Sequence, residues 1–129
     1  MAQKQKGSRY WSKKCEPLWC KIVKRGGKCE LCGSNTKQLH AHHLISRSIP
    51  VFKWDVNNGL CLCSSCHKLD PDCSAHASTA SAANFNEKLK RKLPHVWEWI
   101  EDNRHKKWQG IKVDFEEVYW KLKDMLTEF

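Results

Sequence analysis

Apolar and polar positions change period several times along the chain, and each change marks an element. Gln38–Ile45 (QLHAHHLI) alternates well enough to read as a strand. Asn57-Asn58-Gly59 is a turn signal that leads into the short apolar run Leu60-Cys61-Leu62. Ser64-Ser65 suit the start of a helix, and Pro71 would end it. Upstream, WSKKCEPLWCKIV reads as a short helix or an irregular arm, and Gly26-Gly27 breaks the chain after it. Ser74–Ala83 has no apolar period and reads as a loop or a weakly specified helix. Beyond it the period is helical. Asn84 caps FNEKLKRKL, Pro94 fits the first turn of HVWEWIEDNRHKKW, and Gly110 stops that helix. Asp114 with Glu117 resembles a capping box for the last helix. There Phe115, Val118, Leu122, Met125, Leu126 and Phe129 share one face, which is packing surface. The pattern predicts an α+β domain with its strands in the middle and additional C-terminal helices.

Composition narrows the class. With 40% apolar residues and seven Trp the chain is not disordered. No run approaches the ~20 apolar residues of a membrane span, and the N-terminus lacks a signal peptide's apolar core. A cytoplasmic location is therefore expected, the host cytoplasm if the chain is phage-encoded. In that reducing compartment eight Cys point to metal and not to disulfides.

The net charge of +9 is uneven, with nine Lys and Arg against Glu16 alone between Met1 and Lys28. Such a block binds a polyanion or forms a solvated tail. Three segments follow: a basic N-terminal arm over residues 1–28, a Cys/His-rich core over 29–83, and a C-terminal helical extension over 84–129 packed on that core.

Cys29-Glu-Leu-Cys32 and Cys63-Ser-Ser-Cys66 are two matched CxxC knuckles separated by 30 residues. Four thiolates in two such pairs close a tetrahedral Zn²⁺ site. A redox centre would need one reactive pair, not two matched ones. With every position taken by sulfur the zinc is a scaffold with no open place for substrate. Cys61 is expected in the core, and Cys15, Cys20 and Cys73 have no assignment.

KCELCG, LHAHHLI and NNGLCLCSSCHK together resemble the HNH endonuclease family, over Cys29 to about Leu69. The resemblance implies a ββα-metal core and a metal-dependent DNA endonuclease. It also implies residue roles. His42 and His67 would bind a catalytic divalent ion, His43 would be the general base, and Asn58 would hold that base in orientation. Hydrolysis at neutral pH fits a histidine near its ordinary pKa of ~6.5 beside one divalent ion. Adjacent strand residues point to opposite faces, so His42 and His43 have separate roles. Some family members carry a third metal histidine four residues after His67, where this chain has Pro71. Two protein ligands leave an open, oxygen-rich sphere that suits Mg²⁺, Mn²⁺ or another divalent ion. His76 is a replacement within reach, against the plainer reading of an exposed loop histidine. His40 shares the strand face of His42, and either supports the site or does not.

Arg47 suits a phosphate contact. Lys13, Lys14, Lys21, Lys24 and Arg25, interleaved with Trp11 and Trp19, are candidates for DNA backbone contacts. The expected partner is double-stranded DNA, met by a monomer. Small phage-encoded HNH nucleases are similar in length and in the double knuckle, which would add phage terminase or packaging proteins as partners. The alternative is a non-catalytic zinc-stabilised nucleic-acid-binding module, which has no need of a base beside a metal ligand.

Overall fold

The centre of the structure is an antiparallel pair of short strands, β1 (Leu39–His43) and β2 (Gly59–Cys63), with His42 opposite Leu60 and His43 opposite Gly59. It is a computed structural model that describes residues 7–108 and 110–127. Lys4, Lys6 and Phe129, part of the basic block and the last apolar face, lie outside the described residues. Side chains alternate across a strand. His40, His42, Leu60 and Leu62 therefore look one way, and Ala41, His43, Gly59 and Cys61 the other. A two-stranded sheet is marginal alone, and here both faces are covered.

On the His43 face lie α1 (Ser8–Val23) and α5 (Phe115–Thr127), packed on each other. Cys15, Trp19 and Ile22 of α1 form one buried cluster with Trp54 and Leu122, and Phe115, Val118, Met125 and Leu126 pack around it. The helical option for the N-terminal segment is the one realised, although Pro17 sits inside the helix. Gly59 is glycine because α1 lies against β2. A Cβ there would overlap Val23 and press on Trp19. Its backbone is extended, with φ −109°, so close approach and not turn geometry demands the small residue.

On the opposite face, α3 (Thr79–Lys92) and α4 (Pro94–Arg104) pack on each other and close a second cluster. Phe85, Leu89 and Ile100 meet Leu31, Leu60, Leu62 and three of the knuckle cysteines, Cys29, Cys63 and Cys66, there. The helix α3 starts earlier than the pattern suggested. Ser78, not Asn84, caps it, through a reciprocal bond pair with Ser81, and Asn84 lies within the helix. Asn84 instead donates from Nδ2 to the Asp72 carbonyl at 2.7 Å. The helix expected from Ser64-Ser65 to Pro71 is reduced to one wide turn over Ser65–Leu69, after which the Asp70 N–H donates to the Ser65 carbonyl. Asp114 caps α5 as expected, accepting from the N–H groups of Glu116 and Glu117, while the Glu117 carboxylate pairs with Lys121. Among the described residues no helix is long and apolar enough to cross a membrane.

Candidate metal centres and active site

Both knuckles meet at one end of the sheet. The sulfurs of Cys29, Cys32, Cys63 and Cys66 lie within 4.8 Å of one another. Cys32 Sγ and Cys63 Sγ are 3.7 Å apart. A tetrahedron with Zn–S bonds of ~2.3 Å has edges of about 3.8 Å, so this spacing fits a shared ion and is far longer than the ~2.05 Å of a disulfide. Burial acts to raise the Cys29 thiol, and N–H groups of Cys32, Cys63 and Leu31 outweigh it, holding the thiol at about 7. Burial pushes the Cys66 thiol up. A bound cation offsets the repulsion among such thiolates.

The second cluster is histidine. The candidate ligand nitrogens of His42, His67 and His76 lie within 4.8 Å of one another, and the three ring centroids are 4.9 to 5.1 Å apart. His42 comes from β1 and His67 from the wide turn after Cys66. His76 is delivered by a loop that folds back along that turn. The Ala75 N–H donates to the Cys66 carbonyl and the His76 N–H to the His67 carbonyl, each at 3.0 Å. Thus His76, and not residue 71, completes a set of three. His40 joins from the same strand face, its Nδ1 2.8 Å from His67 Nδ1. Whichever ring carries that proton, the bond fixes the orientation of the His67 ring. Burial holds His42 down at about 3, with His67, His76 and His43 adding to it. His67 is held at about 4, first by burial and then by His76 and His40. His42 and His67 thus favour the neutral, ligating form.

His43 lies across the strand. Its Nε2 is 2.7 Å from the Lys53 carbonyl, which can only accept, so Nε2 carries the proton and Nδ1 is the basic nitrogen. Trp19, only 1% exposed, stacks on the His43 ring with centroids 4.2 Å apart and planes at 16°. Trp54 approaches from the side at 5.6 Å. Trp19 is fixed by its own N–H, which donates to the Asp55 carbonyl at 2.9 Å, and Trp54 by one to Ser12 Oγ at 2.8 Å. Burial, then the Arg47 charge, lowers the His43 pKa, partly offset by the Lys53 carbonyl and Glu16.

Asn58, fully buried, directs its side-chain hydrogen bonds to the loop after β1 and not to His43. Its Oδ1 accepts from the Ile45 N–H at 2.6 Å, and its Nδ2 donates to the carbonyls of Ile45 and Phe52 at 2.9 and 3.0 Å. These bonds pin both ends of the loop from β1 to the helix α2 (Pro50–Lys53), whose last carbonyl holds His43.

The two histidine groups share an open cleft of about 780 Å³ that Arg47, Lys68, Glu16 and Cys20 also line. The other cations of the first segment are dispersed. Lys13 borders a separate hollow, Lys14 lies 5.6 Å from the Tyr10 ring, and Arg25 borders a third depression beside Glu30. Lys21 is exposed and Lys24 half-buried at the end of α1. Trp19 belongs to the core and is withdrawn from any DNA contact, while half-buried Trp11 packs near Tyr119. His95 and His105 are exposed and away from the cleft.

Residues 29–69 match the HNH endonuclease family. The HNH match spans both knuckles, His42, His43, Asn58 and His67, about a third of the chain, and ends before His76. No curated protein and no solved structure matches the chain. The HNH segment thus accounts for β1, β2 and the knuckles, while α1, α3, α4 and α5 lie outside it.

Proposed function

We propose that the chain is a metal-dependent DNA endonuclease with a ββα-metal core, which cuts or nicks double-stranded DNA to leave 5′-phosphate and 3′-hydroxyl ends. The observation that carries this reading is the pairing of His42, His67 and His76 with a tethered, singly protonated His43 in one cleft. His43 Nδ1 takes the proton of the attacking water. Its lowered pKa keeps it unprotonated at neutral pH, and the Lys53 carbonyl and Trp19 fix the plane of the ring. Asn58 acts at one remove, by holding the loop that presents that carbonyl. His42, His67 and His76 would hold the divalent ion, which supplies charge to a non-bridging phosphate oxygen and to the leaving 3′ oxygen. His40 orients His67, and Arg47 meets the phosphate.

Three imidazoles change the expected ion. Nitrogen ligands favour borderline ions such as Co²⁺, Ni²⁺ or Zn²⁺ over Mg²⁺, which prefers oxygen, with Mn²⁺ between the two. The four cysteines would hold a structural Zn²⁺. The similarity of small phage-encoded HNH nucleases in length and knuckle pattern supports a role in phage DNA processing beside packaging proteins.

The test is conversion of supercoiled plasmid by the zinc-loaded protein, with Mn²⁺, Co²⁺, Ni²⁺, Mg²⁺ or no added ion. The reading predicts open-circle or linear product with a transition ion and little with Mg²⁺. DNA binding without cleavage under every ion would leave a zinc-stabilised binding module instead.

A further inference from the structure

The charged side chains of α1 are not equivalent. Arg9, Lys13, Glu16 and Cys20 recur at spacings of four, three and four residues, which puts them on one stripe of the helix. The C-terminal half of the stripe, Glu16 and Cys20, borders the histidine cleft. The N-terminal half opens into a different hollow of about 600 Å³, lined by Ser8, Arg9, Ser12, Lys13, Lys53 and Phe115. Three cations and two hydroxyls line it, and no carboxylate does. Elsewhere on the helices, Lys90, Arg104 and Lys121 each have a carboxylate partner. Among the described residues none is recorded for Arg9, Lys13 or Lys53. Like charges gathered around one concavity repel, and an anion between them removes that cost.

Lys53 ties this hollow to the cleft. It borders the hollow, with its Nζ 5.5 Å from the Trp54 ring, while its carbonyl holds His43. Ser12 does the same for the neighbouring wall, since its hydroxyl accepts from Trp54, the ring beside His43. Along α1 the centres of the two half-stripes lie about 10 Å apart at ~1.5 Å per residue.

We propose that Arg9, Lys13 and Lys53, with the hydroxyls of Ser8 and Ser12, form a second phosphate subsite that grips the DNA backbone beside the histidine cleft, about 10 Å away along α1. This rests on the endonuclease reading for what occupies the cleft. It narrows the basic segment to one functional patch, adds Arg9 and Lys53 to it, and leaves Lys14, Lys21 and Lys24 outside it.

Binding is measured on full-length, zinc-loaded protein carrying His43→Ala, by anisotropy of a fluorescent 20-bp duplex over a salt series. The Arg9→Gln/Lys13→Gln/Lys53→Gln variant is compared with Lys106→Gln/Lys107→Gln/Lys112→Gln, which removes the same charge from an exposed loop. One lost phosphate contact lowers the slope of log K against log salt by about one. The first triple variant should show that loss, with its affinity deficit shrinking as salt rises, and the second should keep the parent slope. Zinc content and circular dichroism check that both are folded. Equal slopes in both variants overturn the subsite, as does the same drop in both, which would report net charge alone. Plasmid cleavage by the His43 protein, run in parallel, separates the two readings. Cleavage with an unchanged slope rejects only the subsite, whereas a slope drop without cleavage rejects only the endonuclease.

Discussion

His42 and His43 are neighbours with opposite surroundings, and that contrast sets what each can do. The ring of His42 is buried among His67, His76 and Phe85, and its pKa is held near 3. In the unfolded chain the same imidazole titrates near ~6.5. Below that value the unfolded chain takes up a proton that the folded protein refuses, so stability is lost as pH falls from 6.5 toward 3. The loss is at most about 1.4 kcal/mol per pH unit. Urea melts at pH 7 and pH 5 without added divalent ion should show an acid loss about 2 kcal/mol smaller in His42→Asn than in wild type. An equal loss would contradict a buried neutral ring. His76 makes a second residue-level prediction. Calorimetric titration of zinc-loaded protein with Mn²⁺ should show His76→Ala binding at least tenfold weaker, and unchanged affinity would remove His76 from the site. The HNH resemblance singles out His42, His43, Asn58 and His67 by their order around the knuckles, and the structure brings His42 and His67 together. The sequence leaves His76 between a replacement ligand and an exposed loop residue, because its place depends on two backbone bonds between a loop and the turn below it. Trp19 read as part of a basic arm, since a single strip of sequence does not say which side of a helix will be covered.

Elements here depend on one another more than on their own propensity. β1 and β2 span five residues each, too few to persist alone. The four-cysteine cluster joins the segment before β1 to the end of β2 and the turn after it. A structural zinc site contributes on the order of 10 kcal/mol, comparable with the whole stability of a small domain, ~5–15 kcal/mol. Cys66→Ser, or chelation of the zinc, should therefore abolish the cooperative thermal transition seen by circular dichroism. A variant that melts cooperatively without zinc would show that the staple is dispensable. The sequence exposed the knuckles and the apolar face of α5, but left α1 ambiguous because Pro17 removes a helical hydrogen bond. The start of α3 was misplaced at Asn84 because alanines carry no apolar period, and the Ser78–Ser81 cap six residues earlier decides it.

At the scale of the molecule, the sheet divides two cores, and each borders one of the two histidine groups. The α3–α4 side carries the cysteine cluster and, through Phe85, the wall behind His42. The α1–α5 side carries Trp19 and so the setting of His43. The N-terminal segment, basic as a stretch of sequence, thus contributes a buried wall of the cleft as well as charge. On this account the ion and the base act from opposite faces of β1 on one phosphate. The most direct test is cleavage of supercoiled plasmid by wild type and His43→Ala, at equal zinc content and equal Mn²⁺ affinity. The account predicts that the variant binds ion and DNA like the parent and cleaves about 10²- to 10⁴-fold more slowly. Cleavage at the parental rate would contradict it, because the base would then have to be another group.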